Sequence, residues 1–93
     1  MALEPLPPPR WPRDARAACA FTFDLDAEPV WMARGSHEPV TLSQGRFGPV
    51  DALPRILALL RQHDIRASFF IPAWTAEHYP EAVRAIADGG HEI

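Results

Sequence analysis

The sequence lacks the features of disulfide-rich, membrane and nucleic-acid-binding proteins. Its single cysteine, Cys19, excludes an internal disulfide, and we expect this residue to lie buried in an apolar segment. No apolar run approaches the roughly 20 residues that a membrane helix needs. The net charge of −3, from 9 basic and 12 acidic residues, offers no basic face for nucleic acid. The sequence therefore predicts neither a membrane nor a nucleic-acid partner.

The first residues also lack the pattern of a secretory signal. Glu4 and the nearby prolines interrupt any apolar core, and the first three residues carry no basic side chain. We therefore expect a cytoplasmic location. Residues 1–16 are rich in proline and arginine, which predicts an extended tail ahead of a domain that covers residues 17–93.

The order of apolar segments predicts an α/β fold with parallel strands. Strand-like runs at 17–23 and 65–71 are separated by a helical pattern at 49–63, and a second helix follows at Pro80–Asp88. A third strand is expected to start at residue 91. Because such repeats need several strands, we expect residues 17–93 to be the N-terminal portion of a larger domain and only marginally stable alone.

The two predicted helices each present one apolar face. On the first helix this face is formed by Val50, Leu53, Ile56, Leu57 and Leu60. Asp51 is predicted to cap its N-terminus. On the second helix the inner face is predicted to hold Val83, Ile86 and Ala87. Residues 75–78 are expected to form a short capped turn.

Three acids follow the first predicted strand at alternate positions: Asp24, Asp26 and Glu28. In α/β proteins, ligands bind at the carboxyl ends of strands, and residues two apart in extended chain point to the same side. Two neighbouring carboxylates repel each other unless one is protonated or a cation lies near. This favours a divalent metal, or a division of roles between base and ligand. The alternative is structural, since acids in this position also bond loop amides.

Residues 25–48 show neither helical nor strand periodicity, which predicts a long irregular loop, and such loops are usually functional. Trp31 and Phe47 suit the wall of a pocket, although they could also only pack the loop. His37, His63 and His78 are not spaced like a pair of metal ligands, so we expect them to face solvent.

One family with an Asp-x-Asp motif after the first strand is the haloacid dehalogenase-like phosphatases. In those proteins the strand ends in Asp-x-Asp-Gly-Thr. Here Ala27 and Glu28 stand in place of the glycine and threonine, and an extra carboxylate is a poor neighbour for a phosphate.

A second family matches far more of the chain. Residues 21–26 (Phe-Thr-Phe-Asp-Leu-Asp), 67–72 (Ala-Ser-Phe-Phe-Ile-Pro) and 85–93 (Ala-Ile-Ala-Asp-Gly-Gly-His-Glu-Ile) resemble, in order, the motifs of the polysaccharide deacetylases, or NodB-homology proteins. The resemblance covers residues 16–93. Its Asp-x-Asp-Ala-Glu form is similar to the peptidoglycan-deacetylase-like branch, which also includes relatives that act on cyclic ureides and imides.

The resemblance implies part of a distorted (β/α) barrel that hydrolyses an N-acetyl amide on a carbohydrate. It gives Asp24 the role of general base and Asp26 that of a metal ligand, with Zn²⁺ as the expected ion. Glu28, Trp31 and Phe47 are then candidates for the surroundings of the substrate. The family's two ligand histidines follow the segment that contains His91, so we expect the 93 residues alone to be inactive.

Two alternatives stay open at this point. One is a cyclic ureide or imide amidohydrolase on the same fold, with a small amide as substrate. The other is an inactive fragment that binds carbohydrate or serves as a scaffold. The sequence also leaves open the oligomeric state, a homo-oligomer included.

Overall fold

The computed structural model describes residues 2–93, and its centre is a pair of short parallel strands. Strand β1 (Thr22–Asp24) pairs with strand β2 (Ser68–Phe70), and Phe23 lies opposite Phe69. Glu92 extends the sheet on the other side of β2 through an isolated parallel bridge. The predicted α/β pattern with parallel strands is therefore confirmed, including the start of a third strand.

The described residues form five α-helices, most of them short. They are α1 (Pro29–Ala33), α2 (Pro39–Gln44), α3 (Leu53–Gln62), α4 (Ala73–His78) and α5 (Pro80–Asp88). A 3-10 turn at Pro12–Asp14 lies in the N-terminal region, and a π-helical turn at Gly48–Ala52 leads directly into α3. None of the helices within residues 2–93 has the length and apolar composition needed to cross a bilayer.

The core lies between the strand pair and the two longest helices. Leu53 and Leu60 of α3 are buried with Phe69 of β2 and Ile86 of α5, and the ring of Phe23 stacks on that of Phe69 at 5.1 Å between centroids. Four of the five residues of the predicted apolar face are buried or partly buried against this core, but Val50 is 42% exposed and lies in the π-helical turn before α3. Each such side chain contributes about 1.5–3 kcal/mol when fully buried.

Details of three helices differ from the predictions. Asp51 caps nothing, because the chain is already helical from Gly48 onward and this residue lies inside the turn. On α5 the buried residues are Ala82 and Ile86, whereas Ala87 is exposed, so the inner face is rotated from the predicted one. The predicted turn at 75–78 is the second part of α4, which follows directly after Pro72.

The segment 25–48 is not the irregular loop that its lack of periodicity predicts. Helices α1 and α2 occupy much of it, and each begins with a proline at its first position, where the missing N–H costs nothing. Gly35, with φ of +80°, lies between them. The prediction failed because helices this short span too few turns to show a period.

Strand β1 is shorter than the predicted 17–23. Its ladder starts at Phe21, whose carbonyl accepts a hydrogen bond from the amide of Ser68, and ends at Leu25, whose amide donates to Phe70. Residues 17–20 precede the ladder and are exposed. Cys19 is therefore exposed, and the prediction that it is buried is wrong.

Residues 2–16 are exposed throughout, in keeping with a tail. Met1, which belongs to the predicted tail, lies outside the described residues. The boundary at residue 17 stays a prediction.

Candidate active site

The acids that follow β1 alternate with buried apolar residues. Asp24 and Asp26 are exposed, whereas Leu25 and Ala27 each retain only 7% of their accessible surface. Because successive side chains of an extended chain point to opposite faces, both carboxylates lie on the open side, away from the core. This arrangement agrees with the expected geometry, while the chemical roles of the two acids stay predictions.

A cavity of about 430 Å³ opens beside Asp26 at the carboxyl end of β2. The rest of its lining is apolar: Phe69, Phe70, Ile71, Pro72 and Ile93. A larger cavity, of about 520 Å³, lies between α3 and α5, and neither Asp24 nor Asp26 reaches it. We place the candidate site at the smaller cavity, because it holds a carboxylate at a strand end, where α/β proteins bind ligands.

The turn that follows Asp26 is held by side chains from the region of α4. Thr75, which is completely buried, donates a hydrogen bond from Oγ1 to the main-chain oxygen of Asp26 at 2.7 Å. One helical turn later, the hydroxyl of Tyr79 donates to Oε1 of Glu28. Two acids of the motif are therefore connected to the segment that follows β2.

Glu28 and Tyr79 form a partly buried pair. Within residues 2–93 the second carboxylate oxygen of Glu28, Oε2, is buried without a hydrogen-bond partner. Burial, followed by the hydrogen bond from Tyr79 to Glu28 and the charge of that carboxylate, raises the pKa of Tyr79 to about 12, while the charge of Arg46 acts in the opposite direction. The phenol is therefore a neutral donor throughout the physiological range, and Glu28 bonds the side chain of Tyr79.

Gly45 closes the other side of this turn. A Cβ atom at this position would lie 2.5 Å from the amide nitrogen of Glu28 and 2.6 Å from the carbonyl carbon of Ala27. Only glycine allows the end of α2 to approach the Ala27–Glu28 peptide so closely.

The described residues supply only part of a metal site. No three His, Cys, Asp or Glu side chains among residues 2–93 come together in a way that could hold a metal ion. A catalytic zinc site has three protein ligands. Asp26, exposed at the cavity, fits as one carboxylate ligand of such a site, and this region offers no complete set.

Trp31 and Phe47 do not line the cavity beside Asp26. Trp31 is partly buried on α1, with the guanidinium carbon of Arg34 at 5.5 Å from the ring centroid. Phe47 is 60% exposed at the start of the π-helical turn. Their contact with a substrate stays a prediction.

None of the four histidines lines the cavity beside Asp26. His37, His63 and His78 are exposed, as expected, and His78 stacks on the indole one turn earlier in α4. Nδ1 of His91 accepts a hydrogen bond from the amide of Ala67 at 3.0 Å. His91 therefore stabilises the start of the third strand.

Sequence reasoning missed Thr75, Tyr79 and Gly45. Thr75 was expected only in a local turn, yet its hydrogen bond reaches a residue 49 positions earlier in the chain. Gly45 lies in the segment 25–48, for which the sequence predicts only an irregular loop. No spacing or periodicity marks such long-range contacts, so the sequence carried no signal for them.

Comparison with known proteins places this geometry in a family. The family model for polysaccharide deacetylase matches residues 45–93. A peptidoglycan deacetylase of Helicobacter pylori is 32% identical over 76 residues, which cover 80% of this chain and 26% of that protein. A peptidoglycan-N-acetylglucosamine deacetylase of Bacillus cereus is 43% identical over 47 residues, 50% of this chain and 17% of that protein. The chain thus spans about a quarter or less of the length of these relatives.

A solved structure from Mycobacterium smegmatis, assigned to the polysaccharide deacetylases, superimposes with a TM-score of 0.81 at 38% identity. The match covers 99% of this chain and 33% of that one. It confirms the predicted fold class, because the strands and helices described above correspond to part of the barrel of that protein. The chain belongs to the polysaccharide deacetylase family.

Proposed function

We propose that this chain forms part of a hydrolase that removes acetyl groups from the N-acetyl amides of a carbohydrate. The observation that carries the proposal is the placement of Asp24 and Asp26 on the open side of β1, with Asp26 at the mouth of a cavity. The family membership and the names of the two curated relatives support a glycan of the peptidoglycan class as substrate.

In the proposed reaction, Asp24 is the general base. Its carboxylate accepts a proton from a water molecule, and the water oxygen attacks the carbonyl carbon of the acetamide. The attack gives a tetrahedral intermediate, and the carbon–nitrogen bond then breaks as the nitrogen gains the proton that Asp24 took from the water, which gives acetate and a free amine. Asp26 would hold a divalent metal, Zn²⁺ by expectation, and the bound metal would supply a Lewis acid that polarises the amide carbonyl.

A hybrid enzyme tests this proposal. Residues 1–93 replace the matching segment of the Helicobacter pylori peptidoglycan deacetylase, and circular dichroism verifies that the hybrid folds. Acetate release from peptidoglycan is then measured for the hybrid, for Asp24→Asn and for the matched control Asp88→Asn, an exposed acid at the end of α5. We expect Asp24→Asn to lower kcat by about 10²–10⁴-fold, the usual contribution of a general base, and the control to change nothing.

The metal content of the same hybrids distinguishes the role of Asp24 from that of Asp26. Asp26→Asn should lower the zinc bound per molecule, whereas Asp24→Asn should leave it unchanged, since a base need not coordinate the metal. Near-normal turnover of Asp24→Asn would show that the base is another residue. A folded hybrid that releases no acetate from any N-acetylated glycan would overturn the proposed substrate class.

A further inference from the structure

The turn after Asp26 has a backbone conformation that needs support. Ala27 adopts φ of +57° and is 7% exposed. The left-handed region costs a residue with a Cβ about 1 kcal/mol or more. Such a residue persists where surrounding contacts hold it, and these residues cluster at functional sites. The contacts around Ala27 therefore bear on how the candidate site is held in shape.

Two of these contacts come from one face of α4 and its end. Thr75 and Tyr79 are one helical turn apart, and the amide of Tyr79 donates to the carbonyl of Thr75 at 2.8 Å. Their hydroxyls donate to the residues on either side of Ala27, namely Asp26 and Glu28. The partners are 49 and 51 positions away in the chain, so the two bonds link the ends of β1 and β2.

The hydrogen bond of Thr75 joins α4 to the main chain of Asp26, in addition to pairing a buried hydroxyl. A threonine within a helix can donate to a carbonyl of the preceding turn. Here the completely buried hydroxyl crosses instead to the main chain of Asp26. This contact fixes the backbone that carries the proposed metal ligand. The hydrogen bond of Tyr79 holds the side chain of Glu28, and the backbone of Gly45 packs closely against the Ala27–Glu28 peptide.

We propose that Thr75 and Tyr79 are positioning residues that fix the carboxylate of Asp26 at the strand-end cavity. The inference rests on the proposed function, in which Asp26 holds a metal and its carboxylate must therefore be accurately placed. A misplacement of about 1 Å can lower a rate on the order of a hundredfold. Both residues act through the turn, and neither needs to touch the substrate.

The first test follows Asp26 by nuclear magnetic resonance in the folded hybrid enzyme described above, prepared with isotope-labelled aspartate and alanine. Thr75→Val keeps the shape of the side chain and removes the hydroxyl, Thr75→Ser keeps the hydroxyl, and Thr41→Val is a matched control on α2. We expect Thr75→Val to shift the side-chain carboxyl signal of Asp26 and the amide signal of Ala27, whose peptide contains the carbonyl that loses its hydrogen bond. Thr75→Ser should retain the parental signals, and the control should leave them unchanged.

The second test uses the folded hybrid enzyme described above. Thr75→Val should lower kcat by about ten- to a hundredfold with KM nearly unchanged, since an interaction that aligns reacting groups acts in the transition state. Thr75→Ser should retain most of the rate, and Tyr79→Phe should lower kcat less than Thr75→Val. If Thr75→Val fails to fold, the kcat of Tyr79→Phe relative to the parent tests the positioning role instead.

The outcomes separate this inference from the proposed function. If Asp24→Asn is inactive but Thr75→Val or Tyr79→Phe keeps the parental kcat and the parental Asp26 signal, the positioning role is wrong and the proposed function stands. If Asp24→Asn keeps its turnover, the base assignment fails whatever the Thr75 variants do. A loss of rate in Thr75→Val that appears only in KM would also overturn the positioning role.

Discussion

The two segments that flank β1 differ in what touches them. Residues 17–20, on the upstream side, are all apolar, yet they are exposed. Residues 25–28, on the downstream side, include two acids, yet Leu25 and Ala27 are buried and the turn is bonded from α4. Residues 17–20 are therefore exposed to solvent although they are apolar, whereas residues 25–28 are held in place although they include two acids.

The difference shows that burial around β1 depends on which parts of the chain reach each residue. Hydrophobicity alone would bury the upstream segment and expose the downstream one. Downstream, Thr75, Tyr79 and Gly45 all approach the same turn.

The largest effect is expected from Gly45→Ala on the downstream side. The new methyl group would lie 2.5–2.7 Å from main-chain atoms of Ala27 and Glu28, which cannot rotate away as a side chain could. We expect a loss of about 3 kcal/mol in the free energy of unfolding, at the upper end of the range for overpacking. Urea denaturation of the folded hybrid enzyme, followed by circular dichroism, measures this loss.

Gly35→Ala is the matched control for this substitution. Gly35 has φ of +80°, but its Cβ would meet no atom within 4 Å. The cost should therefore be only that of the left-handed conformation, about 1 kcal/mol. Equal losses for the two variants would show that close approach at Gly45 is not what holds the turn.

An intermediate effect is expected in the alkaline titration of Tyr79, the single tyrosine of the chain. Ultraviolet absorbance of the phenolate therefore reports its pKa of about 12 without interference from another tyrosine. Glu28→Gln removes the carboxylate that raises the pKa and should lower it, although burial still keeps it above 10. Arg46→Gln removes the opposing positive charge and should raise it.

The same shift has a consequence for stability at high pH. The pKa of Tyr79 is raised from 10.0 in the reference state to about 12 in the fold. The stabilisation is therefore complete below pH 10 and is lost as the pH rises toward 12. Tyr79→Phe should remove this part of the pH dependence. A titration midpoint of about 10 in the parent would show that Tyr79 is not paired with Glu28.

Local signals predicted much of the fold. The bounds of α5 match the prediction because a proline at the first position, an apolar period and a Gly-Gly ending all lie within the helix and its flanks. The parallel pairing of β1 with β2 follows from the long helical crossover between them. Helices α1 and α2 were missed because their only local signal was one proline each.

For the candidate site, the sequence predicted only the residues that lie close together along the chain. Asp24 and Asp26 stand out because two acids follow an apolar run at a spacing that places them on one side. Thr75 and Tyr79 could not be found in this way, since the fold alone brings them to residues 49 and 51 positions earlier. Long-range contacts of this kind leave no period in the sequence.

The smallest effect is expected upstream of β1, at Cys19. This residue is exposed, so Cys19→Ser should change the free energy of unfolding by no more than about 0.5 kcal/mol. The thiol should react with a soluble thiol reagent as fast in buffer as in urea. For comparison, Ala82→Cys in the Cys19→Ser background places the thiol at a position that is 8% exposed, where it should react slowly until the chain unfolds. Slow reaction of Cys19 in buffer would mean that the upstream flank is covered as well, and the contrast between the two sides of β1 would disappear.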